Sequence, residues 1–243
     1  MVTLDGLLSR QSALLGIHRD GIVFPDYAGY SLANLPDSIC GWLGIEPIEG
    51  QGLDDSYPFC DEVFEKVIVI LMDGLGWFRL KNWMKQDPYA DFSFWNDLSD
   101  QKNLLPITSI APCTTCAALT TLNTGKSPAS HGNIAYELWL KEFGAVYNMI
   151  LQSPMPYRVD NDDPINNCFK QKNFLPGKTI DVHINRQGGS VIALHPAGIA
   201  HSSLTGMLFP LARREGYHSM GDLFYRIRQF VQLPNVWRHL PVR

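Results

Sequence analysis

No stretch of this chain is long and apolar enough to span a bilayer. The longest uninterrupted apolar run, Val67–Met72, falls far short of the roughly twenty residues a membrane helix needs, so no membrane partner is expected. Cationic excess is missing too. Twenty Lys and Arg face twenty-four Asp and Glu, for a formal net charge of -4, and no basic stripe is interleaved with aromatics. A nucleic-acid polymer is therefore not an expected partner, whereas a small phosphorylated molecule remains compatible with this charge. Cysteine is sparse, at five residues in 243. The number is odd, and the amino terminus MVTLDGLLSRQSALLGIHRD has no basic segment leading into an apolar run, which favours reduced thiols and a cytoplasmic location. Nothing in the sequence speaks to oligomeric state.

What is present is an ordinary globular composition, 45% hydrophobic and 18% charged, enough to bury a core in a single α/β domain over residues 1–243. Residues 1–60, with Pro25, Pro36, Pro47 and Pro58, read as an extended lead-in packed over a core at 61–243. Within that core, Lys66–Met72 has the continuous apolar character of a strand buried on both faces of a parallel sheet, and Gly74 and Gly76 end it. A helix is expected over Trp77–Gln86 and a second strand over Leu104–Ile110. Pro112 then precedes a helix that starts at Thr114 or Thr115 and stops at Gly125. Further strands are expected over Ala135–Leu140, Ala145–Leu151 and Ser190–His195, a loop insertion near 157–177, and a helix over Ser219–Val231, where apolar residues recur at helical spacing. Alternating strands and helices argue for a layered fold with a largely parallel sheet, whose ligands bind beyond the carboxyl ends of the strands.

Two segments carry chemistry. VIVILMDGLGW at Val67–Trp77 places Asp73 at a strand's carboxyl end, and PCTTCAALTTLNTGKSPASHG at Pro112–Gly132 places hydroxyls at a helix start. A neutral hydroxyl is a weak nucleophile, and a divalent cation on its oxygen is one way to stabilise the alkoxide. Asp73 suits such a cation. The N–H groups and partial positive charge of a helix start favour an alkoxide or a phosphate oxygen, which singles out Thr114 and Thr115. Taken alone, each residue has a plainer explanation, an Asp in a turn and a Thr capping a helix.

Together these segments resemble the alkaline phosphatase superfamily, and within it the nucleotide pyrophosphatase/phosphodiesterase-like branch. The resemblance lies in MDGLG at Met72–Gly76 and TGKSPASHG at Thr124–Gly132, with a Thr nine residues before the second motif, which here is Thr115. It implies a three-layer α/β/α fold with a largely parallel central sheet, Thr115 as nucleophile, Asp73 and Thr115 as ligands of one of two divalent ions, zinc by resemblance, and a nucleotide or phosphodiester substrate. Two departures stand out. Ala118 occupies the position where the branch often carries an Asn that donates to a phosphoryl oxygen, so that oxyanion contacts must come from the backbone N–H of Cys116 or from elsewhere. The later ligands, an Asp-x-x-x-His pair and an Asp-His dipeptide, are absent, since none of the seven histidines has an Asp four positions earlier or immediately before it. The chain accordingly reads as the amino-terminal portion of such an enzyme, incomplete at its carboxyl end and weak or inactive as written, because zinc sites use three or four protein ligands. The alternative is a non-catalytic remnant or binding module of the same fold.

Other motifs give less. Cys113-Thr-Thr-Cys116 has redox-pair spacing at a helix start, where a dipole lowers a thiol pKa, but small buried cysteines are the simpler reading. Gly125-Lys126-Ser127 is not a phosphate loop, because Thr120 stands where that motif needs Gly. His131 reads as a structural residue of a turn, His195 and His201 as satisfied loop histidines, and Tyr136, Trp139, Trp77, Phe78 and Trp83 as core rather than stacking platforms.

Overall fold

The structure is a computed structural model that describes residues 2–15, 23–58, 61–86, 91–155 and 174–233. The first sixty residues, expected to be extended, form helices α1 (Leu4–Leu15) and α2 (Leu35–Trp42) around a single 3-10 turn at Leu32–Asn34. Ser31 caps that turn with a capping box, its hydroxyl accepting from Ala33 N while the Asn34 amide oxygen accepts from Ser31 N. Asp37 lies in the first turn of α2 with Pro36 at its start, where a missing N–H and a negative charge both suit a helix.

Helices α3 (Trp77–Gln86) and α4 (Ser93–Asp100) follow, then α5 (Thr115–Thr124) and the one-turn α6 (Pro128–His131). The strands β1 (Glu137–Leu140), β2 (Ala145–Asn148) and β3 (Ser153–Pro154) make an antiparallel meander. After α7 (Ile180–Arg186), the strand β4 (Ile192–Pro196) crosses over through α8 (Ser203–Leu208) to a parallel partner, β5 (Arg213–Tyr217). Helix α9 (Met220–Val231) packs against β5.

The expected large parallel sheet is not seen among the described residues. Among the described residues the sheets are one of three antiparallel strands and one of two parallel strands. Val67–Met72 has the composition of a central strand but belongs to neither, and Ile68–Met72 are about half exposed, Ile70 at 52%. The physical reason is lateral. A strand's alternating N–H and C=O groups need neighbours on both sides to become a sheet interior, and no described segment bonds to this backbone. Only its beginning is held, by Val67 packing on Ile39, Ile180 and Ile184 and by Lys66 Nζ donating to Val231 O (2.6 Å) and Leu233 O (2.7 Å) at the carboxyl end of α9. Leu104–Ile110 likewise narrows to one parallel bridge, Thr108 to Ser31, with Thr108 N donating to Tyr30 O at 2.7 Å. The loop insertion expected near 157–177 lies largely outside the described residues. The aromatics expected in the core are on the surface instead: Tyr136, Phe78, Trp83 and Trp139 are exposed, the last at 64%.

The core is divided. Cys116, Tyr147, Met149, Leu204, Met207 and Leu208 join α5, β2 and α8, Val2, Leu7, Tyr30 and Tyr57 pack at the amino-terminal end, and Ile39, Ile180 and Ile184 tie α2 to α7. Asp181 locks α7 to the start of β5. Its carboxylate is 1% exposed and accepts from Thr179 Oγ1 and from the backbone N–H groups of Val182, Leu211 and Ala212, so a buried charge is matched by four donors.

Candidate active site

Helix α5 begins and ends as its sequence dictates. Thr114 is the N-cap, with extended backbone and its hydroxyl accepting from Ala117 N at 3.4 Å, and Gly125 closes the helix at φ 67, the left-handed conformation that glycine adopts without a Cβ penalty. The Thr114 hydroxyl also donates to Ile134 O at 3.3 Å. That hydroxyl is committed at both ends of its bonding capacity. The next one is not: Thr115 is exposed and makes no side-chain hydrogen bond among the described residues. The structure thus separates two hydroxyls that the sequence left open, one holding the helix and the other free at its first residue.

The N–H groups of Thr115 and Cys116 stand in the first turn, where no intrahelical acceptor exists. The Thr115 N–H, on an exposed residue, is a donor available to an anion beside the Thr115 hydroxyl, whereas that of Cys116 lies on a fully buried residue. Cys116 itself is fully buried, backbone included, and burial pushes its thiol pKa up; Cys113 is exposed, and both thiols are free. A redox pair would need the opposite shift.

Beneath the helix, polar groups lock its pose. Thr120 Oγ1 donates to Cys116 O (2.7 Å) and accepts from Asn133 Nδ2 (2.9 Å), while Thr121 Oγ1 meets His131 Nε2 at 3.0 Å. The backbone N–H of Asn133 donates to His131 Nδ1 at 3.1 Å, so the ring's own proton sits on Nε2 and points at Thr121. His131 is 2% exposed, and burial holds its pKa down at about 4, against a smaller opposing pull from the Ala117 carbonyl. It is a neutral strut between α6 and α5, a structural role in keeping with the expectation of a structural turn residue. Thr120, Thr121 and Asn133 were missed in the sequence, although their spacing along α5 and after the Gly132 turn was a readable signal.

Asp73 stands at the turn Asp73–Gly74 after the unpaired run, exposed, with Gly74 at φ 75. No hydrogen bond joins it to Thr115, and among the described residues no three His, Cys, Asp or Glu side chains converge as a metal site. His195 falls within β4, at the end of the expected strand Ser190–His195, but is not the satisfied histidine expected: its Nε2 is buried and unpartnered, with its ring 5.3 Å from that of Phe209; His201 is exposed in the following turn.

The chain is thus a mixed α/β protein that presents a free threonine hydroxyl at the start of a helix. The type I phosphodiesterase / nucleotide pyrophosphatase family matches residues 67–199, a span that holds Asp73, Thr115 and the Thr124–Gly132 motif, and the chain belongs to that family. No curated protein and no solved structure matches it. Among the described residues no helix is long and apolar enough to cross a membrane.

Proposed function

We propose that this chain carries the nucleophile side of a phosphoric ester hydrolase acting on phosphodiester or nucleotide pyrophosphate bonds, with Thr115 attacking phosphorus. The observation that carries this reading is the division of labour at the start of α5: Thr114 caps the helix and the exposed Thr115 is left with a free hydroxyl beside its own unpaired N–H, with the N–H of the buried Cys116 next in the turn. Those N–H groups orient a phosphoryl oxygen and favour the charge that develops on it, which substitutes for the donor lost at Ala118. Divalent metals, zinc by resemblance, would supply the alkoxide and a second positive charge in an enzyme of this family. The described residues do not make such a site, because Asp73 is a single carboxylate with no converging partner. On this reading the described residues alone would hold a metal weakly, and the full activity requires ligands from outside them.

Two measurements test this. In an NMR titration with adenosine monophosphate, the amides of Thr115 and Cys116 are expected to shift first and most; shifts confined to other parts of the chain would remove the helix start from the substrate site. With bis(p-nitrophenyl) phosphate and added zinc, the chain is expected to hydrolyse no faster than Thr115→Ala. Zinc-stimulated hydrolysis that survives Thr115→Ala would show that the nucleophile is another residue.

A further inference from the structure

The parallel pair β4–β5 sets His195 opposite Gly216 and Ala193 opposite Arg214. Registered partners share a face of the sheet, as do residues two apart on one strand, so His195 and Arg214 are diagonal neighbours on one face, their Cα atoms about 8 Å apart by strand spacing and rise. The other face is occupied: Glu215 bridges Arg226 at 2.8 Å and also pairs with Arg213, whose guanidinium lies 5.2 Å from the Phe230 ring of α9. On the His195 face nothing balances the donors. His195 Nε2 is buried with no hydrogen-bond partner, and the half-buried Arg214 guanidinium has no ion pair or side-chain hydrogen bond among the described residues. The carboxylates on and against β5 are spent, Glu215 on two arginines and Asp181 on four donors. A buried polar nitrogen without a partner calls for an ion or a water; Arg214 is a fixed cation, and the His195 tautomer with its proton on Nε2 makes that nitrogen a donor, a pair that suits an anion.

We propose that His195 and Arg214 form a subsite for a tetrahedral oxyanion of the phosphate class. The forked guanidinium takes two oxygens and His195 Nε2–H a third. Burial, and secondarily the charge of Arg214, lowers the His195 pKa, so the empty subsite holds a neutral imidazole at neutral pH. The other groups around it are few: Arg214 on β5, no titratable residue on α8, and His201 in the turn after β4, while Arg213, Glu215 and Arg226 lie on the far face.

The test is the titration of His195 in the full chain, followed by the NMR signal of its ring. Inorganic phosphate at millimolar concentration is expected to raise the His195 midpoint by about one unit, which corresponds to about tenfold tighter anion binding to the protonated ring. Arg214→Gln raises the midpoint without phosphate, since a cation is removed, and abolishes the response to phosphate. A midpoint that phosphate does not move in the native chain, or moves equally in Arg214→Gln, overturns the proposal. An arm with adenosine monophosphate separates the two sources: a larger response than to inorganic phosphate assigns the subsite to a phosphate monoester, and an equal one to the free ion. The subsite does not depend on the nucleophile, so Thr115→Ala leaves the His195 response unchanged whether or not Thr115 acts as proposed.

Discussion

At the residue scale, what distinguishes Thr114 from Thr115 is hydrogen bonding rather than chemistry. Both carry the same hydroxyl, and only the first is used by the helix. Thr114→Ala is therefore expected to cost about 1 kcal/mol of stability and Thr115→Ala less than about 0.5 kcal/mol, measured by urea unfolding; equal losses would contradict the assignment of roles. His131 gives a second residue-level expectation. Its folded pKa, about 4, lies below the ordinary 6.5, so the unfolded chain takes up a proton first as pH falls. The stability it contributes is complete above about pH 6.5 and declines as pH drops toward 4, amounting to about 2 kcal/mol between pH 7 and pH 5. Denaturant unfolding of the chain and of His131→Gln over that interval should converge on acidification, because the variant lacks the titrating ring.

At the scale of elements, α5 is the best-determined piece. A capping Thr, a glycine at its end and a row of small residues let it sit against α8 and β2 with Cys116 and Ala117 fully buried. The β4–β5 pair is held by a close approach: a Cβ on Gly216 would lie 2.9 Å from Ala197 Cα and 3.2 Å from Ala197 Cβ. Gly216→Ala forces backbone to move and should destabilise by about 1–3 kcal/mol in thermal or urea melts, whereas Gly132→Ala has space but a left-handed backbone to contend with. Asp181 is the joint between α7 and β5. Asp181→Ala leaves four donors without their acceptor and should cost about 3 kcal/mol or more.

At the scale of the molecule, the divided core and the half-exposed Ile68–Met72 belong together. An uncharged β-prone run without lateral partners is a surface that attracts apolar contacts and strand pairing. Ile70→Lys should change unfolding free energy by less than about 0.5 kcal/mol, as surface substitutions do, and should lower the binding of an apolar fluorescent dye. A loss of several kcal/mol would mean instead that the run is buried in solution. Asp73 follows this run, so whatever orders Val67–Met72 laterally also sets where its carboxylate can reach.

Local chemistry was legible in the sequence because it is local. The helix Thr115–Thr124 with its cap and its terminal glycine, the helices over Trp77–Gln86 and near Ser219–Val231, and strands near Ala135–Leu140, Ala145–Leu151 and Ser190–His195 follow from propensity, periodicity and turn residues, each acting over a few positions. So did the motif order that marks the family. Lateral pairing was not legible: an apolar run states that a strand would be buried if it had neighbours, but it does not supply them, and Val67–Met72, Leu104–Ile110 and the large parallel sheet were misjudged for that reason. The exposed aromatics share the cause, since burial is a property of what packs opposite. Only the tertiary structure decided which hydroxyl is free, that His131 is a neutral strut, and that His195 and Arg214 share a face without an acceptor, because hydrogen-bond accounting closes only when distant segments meet.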